Sequence, residues 1–187
     1  MQVETLDIPE VKLVTPRRFA DDRGFFSETY NARAWSEAGI AADFVQDNHS
    51  RSVARGTVRG LHFQAPPHAQ AKLVRVLQGR IFDVAVDVRA GSPTFGRWVG
   101  AELDAETGTQ IFVPQGFLHG FMTLEDDTHV VYKVDDFYSP ECDGCVRYDD
   151  PAIGIDWPIG TSDVKLSAKD EAAKGWADFS TPFRYEK

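Results

Sequence analysis

The chain has only two cysteines in 187 residues, Cys142 and Cys145. That is too few for a disulfide framework, and a lone C-x-x-C lends little support to a zinc or redox site, so free thiols are expected. No apolar run approaches the length needed to cross a bilayer, and the amino terminus lacks the basic-then-apolar layout of a secretory leader. A cytoplasmic protein with no membrane partner is expected. Positive charge is also scarce: 20 Lys and Arg stand against 29 Asp and Glu, a net charge of −9. Nucleic-acid binding needs a basic face and is therefore disfavoured. Repeats and low-complexity segments are missing too, and 42% hydrophobic content over this length suits one domain spanning residues 1–187.

What positive charge there is gathers before residue 76, as Arg23, Arg51, Arg55, Arg59, Lys72 and Arg75. A cleft there can carry the opposite sign to the whole. Helix is scarce as well. Asn31 to Gly39 reads as one short helix, capped by Asn31 and stopped by Gly39, and a second begins near Ser167. Residues 1–18 carry Pro9 and Pro16 among apolar residues, as strand pieces at a sheet edge do, and such an edge invites a second subunit. An Arg23-Gly24 turn precedes an aromatic strand. From Phe44 short strands follow one another between glycine and proline turns, which predicts an all-β antiparallel barrel or sandwich. In Ile81 to Val88, the alternation puts Phe82, Val84, Val86 and Val88 inward and Asp83 and Asp87 outward.

Gly56 to Gly79 interleaves arginine, histidine and lysine with strand-forming apolar residues, as an active-site wall would. Strict alternation sets Arg59, Leu61 and Phe63 on one face and Gly60, His62 and Gln64 on the other. Lys72, Val74 and Val76 share a face further on. If His62 and Lys72 meet in one cavity, a base and a cation converge; the competing reading is a pair of solvated strand-end residues.

Gly108 to Phe121, GTQIFVPQGFLHGF, has the spacing of the second cupin motif. The resemblance implies a small jelly-roll barrel with a ligand site in its mouth and His119 pointing into it. Metal-binding cupins add a His-x-His pair and a glutamate. Here that place reads His62-Phe63-Gln64, and an amide is a poor ligand, so no metal is expected.

Several further segments resemble the dTDP-4-dehydrorhamnose 3,5-epimerase family: Asp22-Arg23-Gly24-Phe25-Phe26-Ser27-Glu28, Gln46-Asp47-Asn48, Arg59 to Gln64, Lys72 to Arg75, Pro114 to Phe121, Tyr132-Lys133-Val134 and Tyr138-Ser139-Pro140-Glu141. The likeness runs from about residue 3 to residue 175. Ala71 stands where the family usually has glycine, Asp143 where a nucleotide-contacting glutamate is common, and Gly144-Cys145 falls in a segment that varies.

The resemblance implies a cupin-like jelly roll that epimerises a 4-keto sugar nucleotide at C3 and C5. Both C–H bonds are acidified, because the carbanion is delocalised as an enolate onto the C4 oxygen. Oxidation state does not change, so no cofactor is needed. His62 suits the base and Asp170 its orienting partner. Ser167-Ala168-Lys169-Asp170 is also a capping-box pattern, which gives Asp170 a rival, purely structural reading. Lys72 suits stabilisation of the enolate, with a hydrogen bond from His119, and Tyr132 suits the opposite-face acid; an ordinary core aromatic is the alternative for Tyr132. Arg23 and Arg59 fit the diphosphate. Gln46 and Asn48 fit a pyrimidine edge and Tyr138 its ring, with Phe26 a cavity wall and Glu28, Asp143 and Lys169 further substrate contacts. The resemblance also implies a homodimer built by amino-terminal strand exchange, in which Arg23 and Glu28 reach the neighbouring subunit's site.

Overall fold

The computed structural model describes residues 1–40 and 42–186. In chain order its strands are β1 (Gln2–Thr5), β2 (Lys12–Thr15), β3 (Arg18–Asp21), β4 (Gly24–Ser27), β5 (Gln46–Ser52), β6 (Val58–Gln64), β7 (Lys72–Gln78), β8 (Arg80–Asp87), β9 (Arg89–Ala90), β10 (Trp98–Asp104), β11 (Gln110–Val113), β12 (Phe117–Thr123), β13 (Thr128–Val134), β14 (Asp143–Cys145) and β15 (Phe183–Arg184). Six of them form one sheet in the order β1-β2-β11-β7-β13-β5, and five a second, β10-β8-β12-β6-β14. Neighbours in both sheets run antiparallel. Sequence neighbours repeatedly land in different sheets, which is the jelly-roll pattern that the resemblance to the second cupin motif implies and one form of the antiparallel barrel or sandwich expected from the strands and turns.

Three apolar layers hold the sheets. Between them lie Val74, Val76, Ile81, Ala85, Ile111, Phe117 and Val130, with Tyr132 against this cluster. On the outer face of the five-stranded sheet, Val58, Leu61, Val84, Val86, Leu118 and Met122 pack under Ile153, Ile159 and Phe183 of the carboxy-terminal segment. On the outer face of the six-stranded sheet, Val14, Leu73 and Phe112 pack under Trp35 and Ile40. Trp35 belongs to α1 (Ala32–Glu37), whose N-cap Asn31 accepts a hydrogen bond from the Ala34 N–H, and Gly39 ends the helix region at φ +77. Caps of this kind are worth about 1 kcal/mol. The expected short helix is therefore present, with the expected punctuation.

The middle layer overturns the reading of β8. Asp83 and Asp87 are fully buried, and the sheet-to-sheet interior is on their side, with Ile81 and Ala85. Phe82, Val84, Val86 and Val88 instead face the layer under the carboxy-terminal segment. Alternation identified two faces correctly, but both are covered. The apolar one packs against late residues, and the acidic one looks into the barrel.

Candidate active site

The positions of Arg59 and His62 follow from a break in strand alternation. Where β6 pairs with β12, His119 lies opposite His62 and Phe121 opposite Arg59, so three residue steps on β6 match two on β12. That bulge brings Arg59 to the same cavity as His62, whereas unbroken alternation had set it on the apolar face with Leu61 and Phe63. Gly60 makes it possible. It has φ +148, and a Cβ there would lie 2.6 Å from the Cα of Gly120.

The inner compartment has a volume of about 390 Å³ and is lined by Arg59, His62, Lys72, His119, Tyr132 and Asp170, among others. His62 Nε2 is 2.5 Å from Asp170 Oδ1. The Ser167 hydroxyl donates to Asp170 Oδ2 at 2.9 Å, and the Asp170 N–H donates back to Ser167 Oγ at 3.2 Å. Both readings of Asp170 therefore hold: it is the third residue of the capped helix α2 (Ala168–Glu171) and the partner of His62. Burial pushes the Asp170 carboxyl up, but the bonds from His62 and Ser167 outweigh it and hold the group below the usual carboxylate range. An ionised Asp170 accepts a hydrogen bond from the Nε2–H of His62, which fixes the tautomer and leaves the Nδ1 lone pair free.

Burial pushes the Lys72 ammonium down to about 8, against the attraction of Asp83 and Asp143. Burial also lowers His119 although Asp83 opposes it, with both carboxylate oxygens 2.9 and 3.0 Å from Nε2. A neutral imidazole with one fixed donor results. The Tyr132 phenol is raised by burial, with the Arg59 charge pulling the other way, so it holds its proton well past neutrality. Arg59 itself is pinned by hydrogen bonds to Ser52 Oγ at 3.2 Å and the Arg51 carbonyl at 3.1 Å.

An outer compartment of about 350 Å³ shares His62, Lys72 and Tyr132 with the inner one, and adds Gln46, Asn48, Tyr138, Asp143 and Lys169. The Gln46 amide donates to Asn48 Oδ1 at 3.0 Å and accepts from the Tyr138 N–H at 3.2 Å. The Tyr138 hydroxyl lies 3.3 Å from Asp143, which pairs with Lys169. Gln64 also borders this space, but its amide is committed to backbone. It donates to the carbonyls of His68 and Phe137 and accepts from the Ser139 N–H at 2.9 Å. No group of three His, Cys, Asp or Glu among the described residues is arranged to hold a metal ion.

The sequence profile of the dTDP-4-dehydrorhamnose 3,5-epimerase family matches residues 5–178. The chain belongs to this family of epimerases. A relative of that name from Sinorhizobium fredii is 53% identical over 188 residues, covering 100% of this chain and 95% of the relative. The dTDP-6-deoxy-D-glucose-3,5-epimerase of Legionella pneumophila, solved in complex with dTDP-4-keto-L-rhamnose, superimposes with a TM-score of 0.94 at 45% identity, over 100% of this chain and 99% of that one. A 3'-monoepimerase from Streptomyces bikiniensis, in complex with dTDP-quinovose, superimposes at 0.83 with 35% identity, over 92% and 87%.

Within this member of the epimerase family, three expected site residues stay apart from the rest. Arg23 bonds Asp21, and its side chain is 89% exposed at the tip of the β3–β4 hairpin. Phe26 is 70% exposed and Glu28 is exposed beside it. None of the three lines either compartment of its own chain, so Phe26 is no wall of this cavity. Sequence reasoning missed Asp83, Ser52, Ser50 and Ser167 as parts of the site. Asp83 was hidden by the assumption that only one face of β8 is covered. Ser50 and Ser52 follow Asn48 at every second residue of β5, and that period was the available signal.

Proposed function

We propose that the protein converts dTDP-4-dehydro-6-deoxy-D-glucose to dTDP-4-dehydro-L-rhamnose by inverting C3 and C5 through an enolate, without metal or cofactor. The observation that carries this is the meeting of the His62–Asp170 pair, Lys72 and Tyr132 in one cavity that opens onto a polar outer compartment. His62 Nδ1 removes the proton from the carbon beside the ketone. The C–H electron pair becomes the enolate, whose oxygen is held by the Lys72 ammonium; His119, its one N–H given to Asp83, keeps that carboxylate in place beside the lysine. Tyr132, still protonated, gives its proton to the opposite face of the same carbon. The imidazolium then loses its proton and the phenolate regains one, and the cycle repeats at the second carbon. Asp170 keeps His62 in the right tautomer and stabilises its cation. Arg59 holds the diphosphate, and Gln46, Asn48, Tyr138, Asp143 and Lys169 hold the base.

The proposed assembly is a homodimer formed by exchange of amino-terminal strands. It is supported by the exposed edge strand β1 and by a hairpin that shows Phe19, Phe25 and Phe26 to solvent. Arg23 and Glu28 then complete the site of the second subunit, with Phe26 across its base pocket. Mixing inactive Arg23→Ala and His62→Ala proteins tests this, because a mixed dimer has one intact site. Restored turnover is expected; none on mixing and refolding together would mean that each chain uses its own Arg23. Cys142 and Cys145 are free, which suits the reducing cytoplasm proposed as its compartment.

A single-centre epimerase is the second reading, favoured by the likeness to the 3'-monoepimerase. Turnover of the 4-keto substrate in D₂O, followed by proton NMR, separates the two. Loss of both the C3–H and C5–H signals with inversion at both carbons is expected. Label at one carbon alone would leave a single-centre enzyme, and no exchange would overturn the epimerase reading.

A further inference from the structure

Three buried side-chain atoms among the described residues lack a hydrogen-bond partner: Trp35 Nε1, Ser139 Oγ and Ser50 Oγ. Of these residues only Ser50 lines the inner compartment. A buried hydroxyl without a partner is costly to a fold, so one kept in a ligand cavity calls for a ligand atom. Its placement is built into β5. Gln46, Asn48, Ser50 and Ser52 fall on alternate residues, and Gln46 and Asn48 border the outer compartment. Ser50 borders the inner one, and Ser52 secures Arg59 behind it. Ser50 is thus the polar group of this row that stands among the catalytic residues with its hydroxyl uncommitted.

Resting on the epimerase reading above, we infer that Ser50 Oγ is a substrate contact, and that it holds the 2-hydroxyl of the sugar. The choice of hydroxyl follows from the stereochemistry. C4 carries a ketone and C6 none of the oxygen, so only the 2- and 3-hydroxyls remain on the ring. The 3-hydroxyl changes sides as C3 inverts, and a fixed partner there would favour one configuration over the other. The 2-hydroxyl keeps its configuration through both inversions. A serine that binds it anchors the ring while the neighbouring carbons exchange protons.

The test is a cycle of Ser50→Ala against a 2-deoxy substrate. With wild type, removing the 2-hydroxyl should lower kcat/KM by about 10-fold, the worth of one neutral hydrogen bond. Ser50→Ala should lose a similar factor on the normal substrate, and little more when both groups are absent. Its melting temperature and its affinity for dTDP alone should match wild type, since the hydroxyl bonds nothing in the protein. Independent, multiplying losses would overturn the assignment to the 2-hydroxyl. Weakened dTDP binding would place Ser50 on the diphosphate instead, and a lowered melting temperature would make it a structural residue. If wild type turned over no 4-keto sugar nucleotide, the epimerase reading itself would fail. The same cycle, run on the affinities of dTDP-glucose and its 2-deoxy counterpart, would then decide the Ser50 contact on its own.

Discussion

His62 Nε2 and Asp170 Oδ1 stand 2.5 Å apart although 108 residues separate them in the chain. β6 carries the imidazole and a one-turn helix near the carboxy terminus carries the carboxylate, with Ser167 holding that helix and its carboxylate at once. The cap and the His62 pair thus share Asp170, with Ser167 bonded to it in both.

Asp170→Asn and Ser167→Ala should separate those duties. An amide in place of Asp170 no longer selects the His62 tautomer or stabilises its cation, so kcat should fall by about 10²- to 10⁴-fold. Ser167→Ala should cost about 1 kcal/mol of stability through the lost cap, with a far smaller change in kcat. Chemical denaturation and steady-state kinetics on both variants check this. Because the folded-state carboxyl lies below its ordinary range, the stability Asp170 contributes is present above that range and is lost as pH falls through the folded value. Asp170→Asn should flatten that acid limb.

Lys72 should set the alkaline limit of activity. Its ammonium is lowered to about 8, so turnover should decline as pH rises through that region, and Tyr132, raised by burial, adds no limb before it. Lys72→Arg, whose guanidinium keeps its proton throughout this range, should move the limb upward in a pH–kcat profile. The stability effect has the same pH sense as that of Asp170, but here the charged form is the one that costs stability. Between about 8 and the unfolded value near ~10.4, the unfolded chain binds more protons, so this residue's contribution to stability rises with pH. At pH 7 its buried charge is a cost. Lys72→Met should therefore melt higher than wild type while losing on the order of 10²- to 10³-fold in kcat.

Arg59→Ala should mainly raise KM, and His62→Ala should mainly lower kcat, by about 10²- to 10⁴-fold. An arginine on the diphosphate serves ground state and transition state alike, whereas a base acts only as the proton moves. The reverse pattern would exchange the roles of these neighbours.

Tyr132→Phe should keep proton abstraction and lose inversion. In D₂O the variant should exchange substrate hydrogen at C3 or C5 and return the label mainly to the original face. L-configured product formed at the wild-type rate would make Tyr132 a core aromatic and put the acid elsewhere.

Gln64→Ala should destabilise the fold by about 3 kcal/mol, because three backbone groups lose their partner: the part-buried carbonyls of His68 and Phe137 and the buried N–H of Ser139. Thermal denaturation reads this directly; an unchanged melting temperature would mean that the loops around residues 68 and 138 are held by other contacts.

The residue types of the site and the antiparallel jelly roll were legible in the sequence. Turn residues, strand periods and the motif around His119 are local, and local chemistry decides them. The tertiary structure decided which faces those strands present. Alternation along β8 reported burial, but only the late segment that covers Phe82 and Val84 shows that the side carrying Asp83 is the barrel interior. Alternation along β6 failed at Gly60, since a bulge depends on how closely two backbones approach, and Gly120 on another strand sets that distance. The His62–Asp170 bond and the uncommitted hydroxyl of Ser50 likewise have no local signature. Each depends on what residues far along the chain put beside it, and only packing settles that.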